Sequence, residues 1–206
     1  MTGSDQPPEQ RGHPSAGLRA DAQRNMDKLL KSAKEIFDAQ GVDAPVREIA
    51  KRAGVGIGTL YRHFPTRADL LSAVFSREID LCAKAAAKLA AEYPPFEALR
   101  RWLQRFAELA LTKRGLAQAF LLSDPAFANV PKRRDERIRP AFRALLNAAV
   151  AAGKARPDVD ADEFLDAVSS LCLAAHDARP DYAQRMVSLF ADSLRWGAET
   201  RAGSIS

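Results

Sequence analysis

From Ala20 to Gln40 the apolar residues Met26, Leu29, Leu30, Ala33, Ile36 and Phe37 recur at intervals of three and four. That spacing gathers them on one face of an α-helix, and Gly41 is placed to end it. The next segment, PVREIAKRAG, puts Val46, Ile49, Ala50 and Ala53 on one side of a short second helix. Pro45 suits its first turn and Gly54 stops it. A third short helix fits Ile57 to Phe64. Pro65 then interrupts the chain, and Thr66, with Asp69 in the following turn, caps a fourth helix that runs to about Ala91. After EYPPFE, helical periodicity returns at about 95–113, 115–122, 132–153, 160–177 and 181–199, with SDPAFANVP, GKARPDVD and DARPD as the later separators. No segment carries a convincing strand-like alternation, and no internal repeat is found. The pattern predicts an all-α chain of about nine helices.

Two stretches depart from this regularity. The first, MTGSDQPPEQRGHPSAG, is rich in Pro, Gly, Ser and Gln and cannot bury enough surface to order itself, so residues 1–18 are expected to form a disordered tail. It has no apolar segment and does not read as a secretory signal. The second is GVGIGTLYRHFPTR, Gly54 to Arg67, where helix breakers and hydrogen-bonding side chains crowd together between good helices. From Ile49 to Ala68 there are four basic residues (Lys51, Arg52, Arg62 and Arg67) and no acid, although the whole chain of 206 residues carries a formal charge of only +5. The basic bias coincides with the breakers.

The rest of the composition mainly excludes. An apolar share of 47% and a charged share of 28% suit a globular protein with a proper core. No run approaches the ~18 consecutive apolar residues of a membrane span. Cys82 and Cys172 lie far apart inside apolar helical patterns and read as buried thiols in a reducing cytoplasm. Together with only three histidines they offer no metal-ligand spacing, and neither a metal nor a cofactor is expected. No nucleophile–base set or carboxylate pair stands out, and GVGIG lacks the Lys-Ser/Thr that completes a phosphate loop, so an enzyme is not expected.

Two short helices joined through glycine and braced by an amphipathic first helix are the parts of a helix-turn-helix. On the third helix Leu60 and Phe64 are four apart and face the other two helices. Thr59, Arg62 and His63 share another face, polar and partly cationic, with Tyr61 on its flank. Such a face suits phosphates and base edges. Gly54 and Gly56 would allow the sharp turn, and Gly58 would let the helix start approach a phosphate. A helix–Gly–helix corner alone is common in all-α proteins, and Tyr61 and His63 also fit an ordinary amphipathic surface.

VREIAKRAGVGIGTLYRHFPTRADLLSAV closely resembles the DNA-binding region of the TetR family of bacterial transcriptional regulators, from about Arg19 through the fourth helix. The resemblance implies a DNA-binding domain over 19–66 and a helical effector-binding and dimerisation domain over 67–206. It implies phosphate contacts from Tyr61, His63, Thr66 and Arg67, and places Ile57, Gly58, Thr59 and Arg62 at or beside the base edges. Gly56 stands where the family often has a capping Ser or Thr, and Ile57 where it often has Lys. Base selection is therefore expected to rest on Arg62 and Thr59.

The resemblance also implies a homodimer built from the last two helices, reading a roughly palindromic double-stranded operator. Phe164, Val168, Leu171 and Cys172, and then Tyr182, Met186, Leu189 and Phe190, are the expected interface; a large core would explain the same apolar pattern. A small-molecule cavity among the middle helices is implied too, with Trp102, Phe106, Phe120, Phe127, Phe142 and His176 as candidates for its wall. For each of these the plainer reading is core packing. The run KRRDERIR, Lys132 to Arg139, reads as a solvated helix start. The expected protein is a cytoplasmic, nucleoid-associated repressor with a small-molecule effector. The alternatives are a family member that activates or answers a protein partner, and a non-specific architectural DNA binder.

Overall fold

A computed structural model describes the backbone of residues 14–121, 124–174 and 181–202, and side chains over 21–111, 124–172 and 181–195. Among these residues every regular element is helical. The helices are α1 (Pro14–Gln40), α2 (Val46–Ala53), α3 (Ile57–His63), α4 (Arg67–Glu92), α5 (Pro95–Leu121), α6 (Val130–Ala151), α7 (Ala161–Ala174) and α8 (Tyr182–Ala202), with a 3-10 turn at Pro125–Phe127 before α6. The all-α expectation holds. Helix α1 begins at Pro14, inside the stretch expected to be disordered. The predicted break near residue 114 is absent, because α5 runs straight through Gly115. One glycine costs a helix only about 1 kcal/mol, which packing along the rest of its length outweighs.

The head forms as its periodicity requires. Leu29, Leu30, Ala33, Ile36 and Phe37 of α1 are buried with Ile49 and Ala50 of α2 and Leu60 of α3. Gly41 and Gly54 end α1 and α2 at φ of 86° and 70°, left-handed values that a side chain resists. At Gly54 the turn is closed by Val55 N–H donating to the Ala50 carbonyl at 3.0 Å. Gly56 is different. Its φ of −65° is open to any residue, so the turn needs glycine at 54 and not at 56.

Helix α4 starts from a reciprocal cap. Thr66 Oγ1 accepts from the Asp69 N–H at 3.1 Å, and Asp69 Oδ2 accepts from the Thr66 N–H at 2.9 Å. Its buried residues run from Leu70 to Ala86, against α1 of the head at one end and α5 and α6 of the body along its length. It is a long element that packs against both halves.

The body is organised by stacked aromatic rings. Trp102 of α5 lies 5.7 Å from Phe106 and 5.8 Å from Phe142 of α6. Phe142 stacks on Phe164 of α7 at 5.7 Å, and Phe164 on Phe190 of α8 at 4.6 Å. The spine ties four helices together. Trp102 also donates its indole N–H to the Cys82 carbonyl at 2.9 Å, pinning α5 to α4.

Cys82 and Cys172 are both buried thiols. Burial pushes the Cys82 thiol up to about 12, with Arg105 opposing the shift and Glu108 and Glu78 adding to it. A thiol so far from ionising is a poor nucleophile. With Ellman's reagent at pH 8, Cys82 should stay unlabelled until denaturant unfolds the chain; rapid labelling of the native protein would contradict its burial.

The KRRDERIR run is not simply solvated. Arg133 donates to both oxygens of Asp80 on α4, its Nε at 3.2 Å, and Arg137 Nε lies 3.4 Å from the same carboxylate. Arg139 donates to Asp166 of α7 at 3.0 Å. The first half of α6 is thus cross-linked to its neighbours, a pairing that appears only once α4 and α7 are folded alongside.

Candidate nucleic-acid interface

Helix α3 shows two unlike faces. Leu60 and Phe64 are buried beneath it, while Ile57, Gly58, Tyr61, Arg62 and His63 are exposed and Thr59 is half-buried. Ile57 is 38% exposed and Tyr61 49%. The helix starts without a side-chain cap at Gly56, so its first N–H groups and the positive end of its dipole remain available to an anion. A side chain at position 56 would meet only Thr59 Oγ1, at 3.8 Å, and one at 58 would meet nothing within 4 Å. Neither glycine is demanded by packing inside the chain.

Thr59 and Arg62, expected to carry base selection, are joined to each other. Arg62 Nη2 donates to Thr59 Oγ1 at 3.0 Å, and its Nε reaches back towards the Gly58 carbonyl at 3.4 Å. The guanidinium lies along its own helix, and three of its five N–H donors are not committed to these bonds.

Thr66 and Arg67 have partners within the chain. The Thr66 hydroxyl accepts from Asp69 N–H and donates to Asp69 Oδ2 at 2.8 Å, so its proton is committed to the cap of α4. Arg67 is half-buried, and its Nη1 donates to the Val42 carbonyl at 2.6 Å and the Ala44 carbonyl at 2.8 Å, holding the α1–α2 loop. These two side chains build the head, whereas Tyr61, Arg62 and His63 lie open on its surface. Sequence spacing could not reveal this, because the loop carbonyls lie more than twenty residues away. Replacing Arg67 by Met should cost about 1–3 kcal/mol in urea unfolding, the usual range for hydrogen bonds to a charged donor. It should leave the salt dependence of DNA binding unchanged. A shallower salt slope with unaltered stability would make phosphate the main partner of Arg67.

In the body, a cavity of about 40 Å³ lies between α4, α5, α6 and α7, lined by Phe75, Ile79, Phe106, Leu109, Ala110, Arg134 and Ser169. Of the four wall candidates whose side chains are described, Phe106 borders it. Trp102 and Phe142 are fully buried in the aromatic spine, and Phe127 is buried in the 3-10 turn. Trp102 stacks on two rings and has no exposed surface. The Phe120 side chain and His176 lie outside the described residues. Sequence reading missed Arg134, which sits in the charged run KRRDERIR, and Ser169, which sits in the apolar run of α7.

The expected dimer residues divide as well. Phe164, Val168 and Cys172 are buried in the chain's own core at 6%, 0% and 0% exposure. Leu171, Tyr182, Met186 and Phe190 are half-buried, and Leu189 is 63% exposed. No described helix is long and apolar enough to cross a membrane.

Comparison with known proteins agrees with this layout. A family model for bacterial regulatory proteins of the tetR family matches residues 29–74, and one for the C-terminal domain of SbtR-like transcriptional regulators matches residues 94–196. The chain is 35% identical to a TetR transcriptional regulator from Streptomyces coelicolor, over 82% of this chain and 97% of that one, with a TM-score of 0.69. It is 34% identical to a TetR transcription regulatory protein from Mycobacterium vanbaalenii, over 86% and 99% of the two chains, with a TM-score of 0.67. An HTH-type transcriptional regulator of Staphylococcus aureus is 40% identical over 65 residues, 31% of this chain and 35% of that protein. The chain thus spans about a third of the length of the curated relatives it matches. With its head, its body and nearly the whole length of two solved regulators matched, the chain belongs to the TetR family of transcriptional regulators.

Proposed function

We propose that this regulator is a homodimeric repressor that binds a palindromic operator and is released by a small-molecule effector held in its body. One observation carries the reading. Three large apolar side chains stand exposed among the described residues: Ile57 and Tyr61 on α3, and Leu189 on α8. Two are where DNA would lie and one is where a second copy would pack.

In this reading residues 19–66 are the DNA-binding head and 67–206 the effector and dimerisation body. Ile57 gives apolar contact, for instance with a thymine methyl, and the Thr59–Arg62 pair reads base edges. Tyr61 and His63 hold phosphates, with Gly56 and Gly58 letting the start of α3 come close. The outward edges of α7 and α8, around Leu171, Met186 and Leu189, meet their two-fold mates. A two-fold dimer places its half-sites about 34–36 Å apart, or a multiple of that. An effector acts by favouring one spacing of the two heads, and a ~100-fold change in operator affinity takes about 2.7 kcal/mol of coupling. Helix α4, packed against both halves, is the element able to transmit it.

The test is fluorescence anisotropy with labelled duplexes from the DNA flanking the protein's own gene, at two salt concentrations, against a scrambled duplex. Binding of two or more subunits per site, at least ~10³-fold tighter than to the scrambled control, is the expected result. Equal and strongly salt-dependent binding to every duplex tiled across that region would overturn sequence-specific repression.

A further inference from the structure

The body cavity is walled mainly by apolar side chains of α4 and α5, with Arg134 of α6 and Ser169 of α7 at its border. Phe75, Ile79, Phe106 and Leu109 give hydrocarbon walls, and Arg134 supplies the charge. The Arg134 side chain is 28% exposed, and its Nε and Nη2 both donate to Asp135 Oδ1, at 3.0 and 2.8 Å. A guanidinium has five N–H donors, so three are not committed to Asp135. Ser169 donates its proton to the Leu165 carbonyl at 2.8 Å, so it offers an occupant lone pairs and no positive charge. Hydrocarbon walls with one planar cation at the edge suit a molecule with an apolar body and a carboxylate head, which the guanidinium fork can hold through two parallel hydrogen bonds.

Size adds a mechanical consequence. The cavity holds about 40 Å³, while a cavity that accepts benzene has about 150 Å³. Any occupant with a ring or a branched chain must push the helices apart. Ile79 of the cavity wall is followed by Asp80, and Arg134 is preceded by Arg133. Those neighbours form the clamp between α4 and α6, in which Asp80 receives Arg133 and Arg137. The same two turns of helix therefore line the cavity and hold it shut. The clamp is partly exposed, 22% at Asp80 and 46% at Arg133, so it is weak enough for a small ligand to open.

We propose that the cavity binds a compact monocarboxylate, one ring or a short branched hydrocarbon bearing one carboxylate, through Arg134, and that the Asp80–Arg133–Arg137 clamp opposes its entry. This rests on the reading of the body as effector-binding. Displacing α4 from α6 at Asp80 moves the helix that packs against the head, which supplies the route to DNA.

Calorimetric titration of the full-length protein without DNA tests it, using benzoate, phenylacetate and isovalerate, each against its neutral amide. At least one acid should bind saturably and its amide should not. Arg134→Gln should weaken that binding about tenfold or more, and Asp80→Asn should tighten it, with thermal melts showing both variants folded. Equal binding of acid and amide, or an indifferent Arg134→Gln, would overturn the anionic class. Failure of every acid would overturn the site, and weaker binding by folded Asp80→Asn would overturn the clamp. The anisotropy titration separates the two readings. Operator binding without acid binding overturns this proposal alone; acid binding without operator binding overturns the repressor and leaves the site standing.

Discussion

Trp102→Ala is expected to lower stability by about 3–5 kcal/mol, the range for removing a buried large aromatic. Trp102 has no exposed surface, stacks on Phe106 and Phe142, and bonds the Cys82 carbonyl at 2.9 Å. Its removal would leave a void where α4, α5 and α6 meet, and the packed rings of the spine could close it only in part. For a chain of this size the melting temperature should fall by roughly 6–20 °C. Trp102→Phe is the control, since it keeps the stacked ring and loses the N–H and some volume, and it should cost clearly less. Urea unfolding followed by circular dichroism reads both. An alanine variant within about 1 kcal/mol of the parent would mean that the spine is peripheral to stability.

Arg62→Ala is the second. Arg62 is exposed, and its hydrogen bonds to Thr59 and Gly58 are local, so the variant should melt within about 0.5 kcal/mol of the parent. Its effect should fall on DNA. A side chain reading a base edge contributes about 1–3 kcal/mol of discrimination, so operator affinity should drop about 5- to 150-fold while affinity for scrambled DNA changes much less. His63→Ala should instead weaken every duplex by a similar factor. Because Arg62 Nη2 is bonded to Thr59 Oγ1, combining Arg62→Ala with Thr59→Val should cost less than the sum of the two. Equal losses on operator and scrambled DNA for Arg62→Ala would remove it from base reading.

The head was legible because its signals are local. The three- and four-residue spacing of Leu29, Leu30, Ala33, Ile36 and Phe37, the stops at Gly41 and Gly54, and the Thr66–Asp69 cap each act within a few residues. Gly56 was the exception. It looked like a second turn residue, yet its backbone is ordinary, and its small size fits the approach of a partner better than the path of the chain.

The body was legible as helices and poorly as contacts. An apolar helix such as α7 carries no mark of which face turns inward, so Val168 and Cys172 passed for interface while they are core. The aromatics stood out as a set, with core packing as the plainer reading of each, but the ladder from Phe106 to Phe190 could not be read because it links four helices that are distant in sequence. The arginines of α6 are read correctly only beside Asp80 and Asp166.

By itself, then, the sequence determined the helices, their caps and the shape of a DNA-reading head, because hydrogen bonds and side-chain periods along a helix span at most a turn or two. Tertiary structure alone decided that Arg67 holds a loop, that Trp102 is core, and that Arg134 meets an apolar cavity beside the Asp80 clamp. Those roles depend on which surfaces meet when the helices pack, and that choice is made by the whole fold.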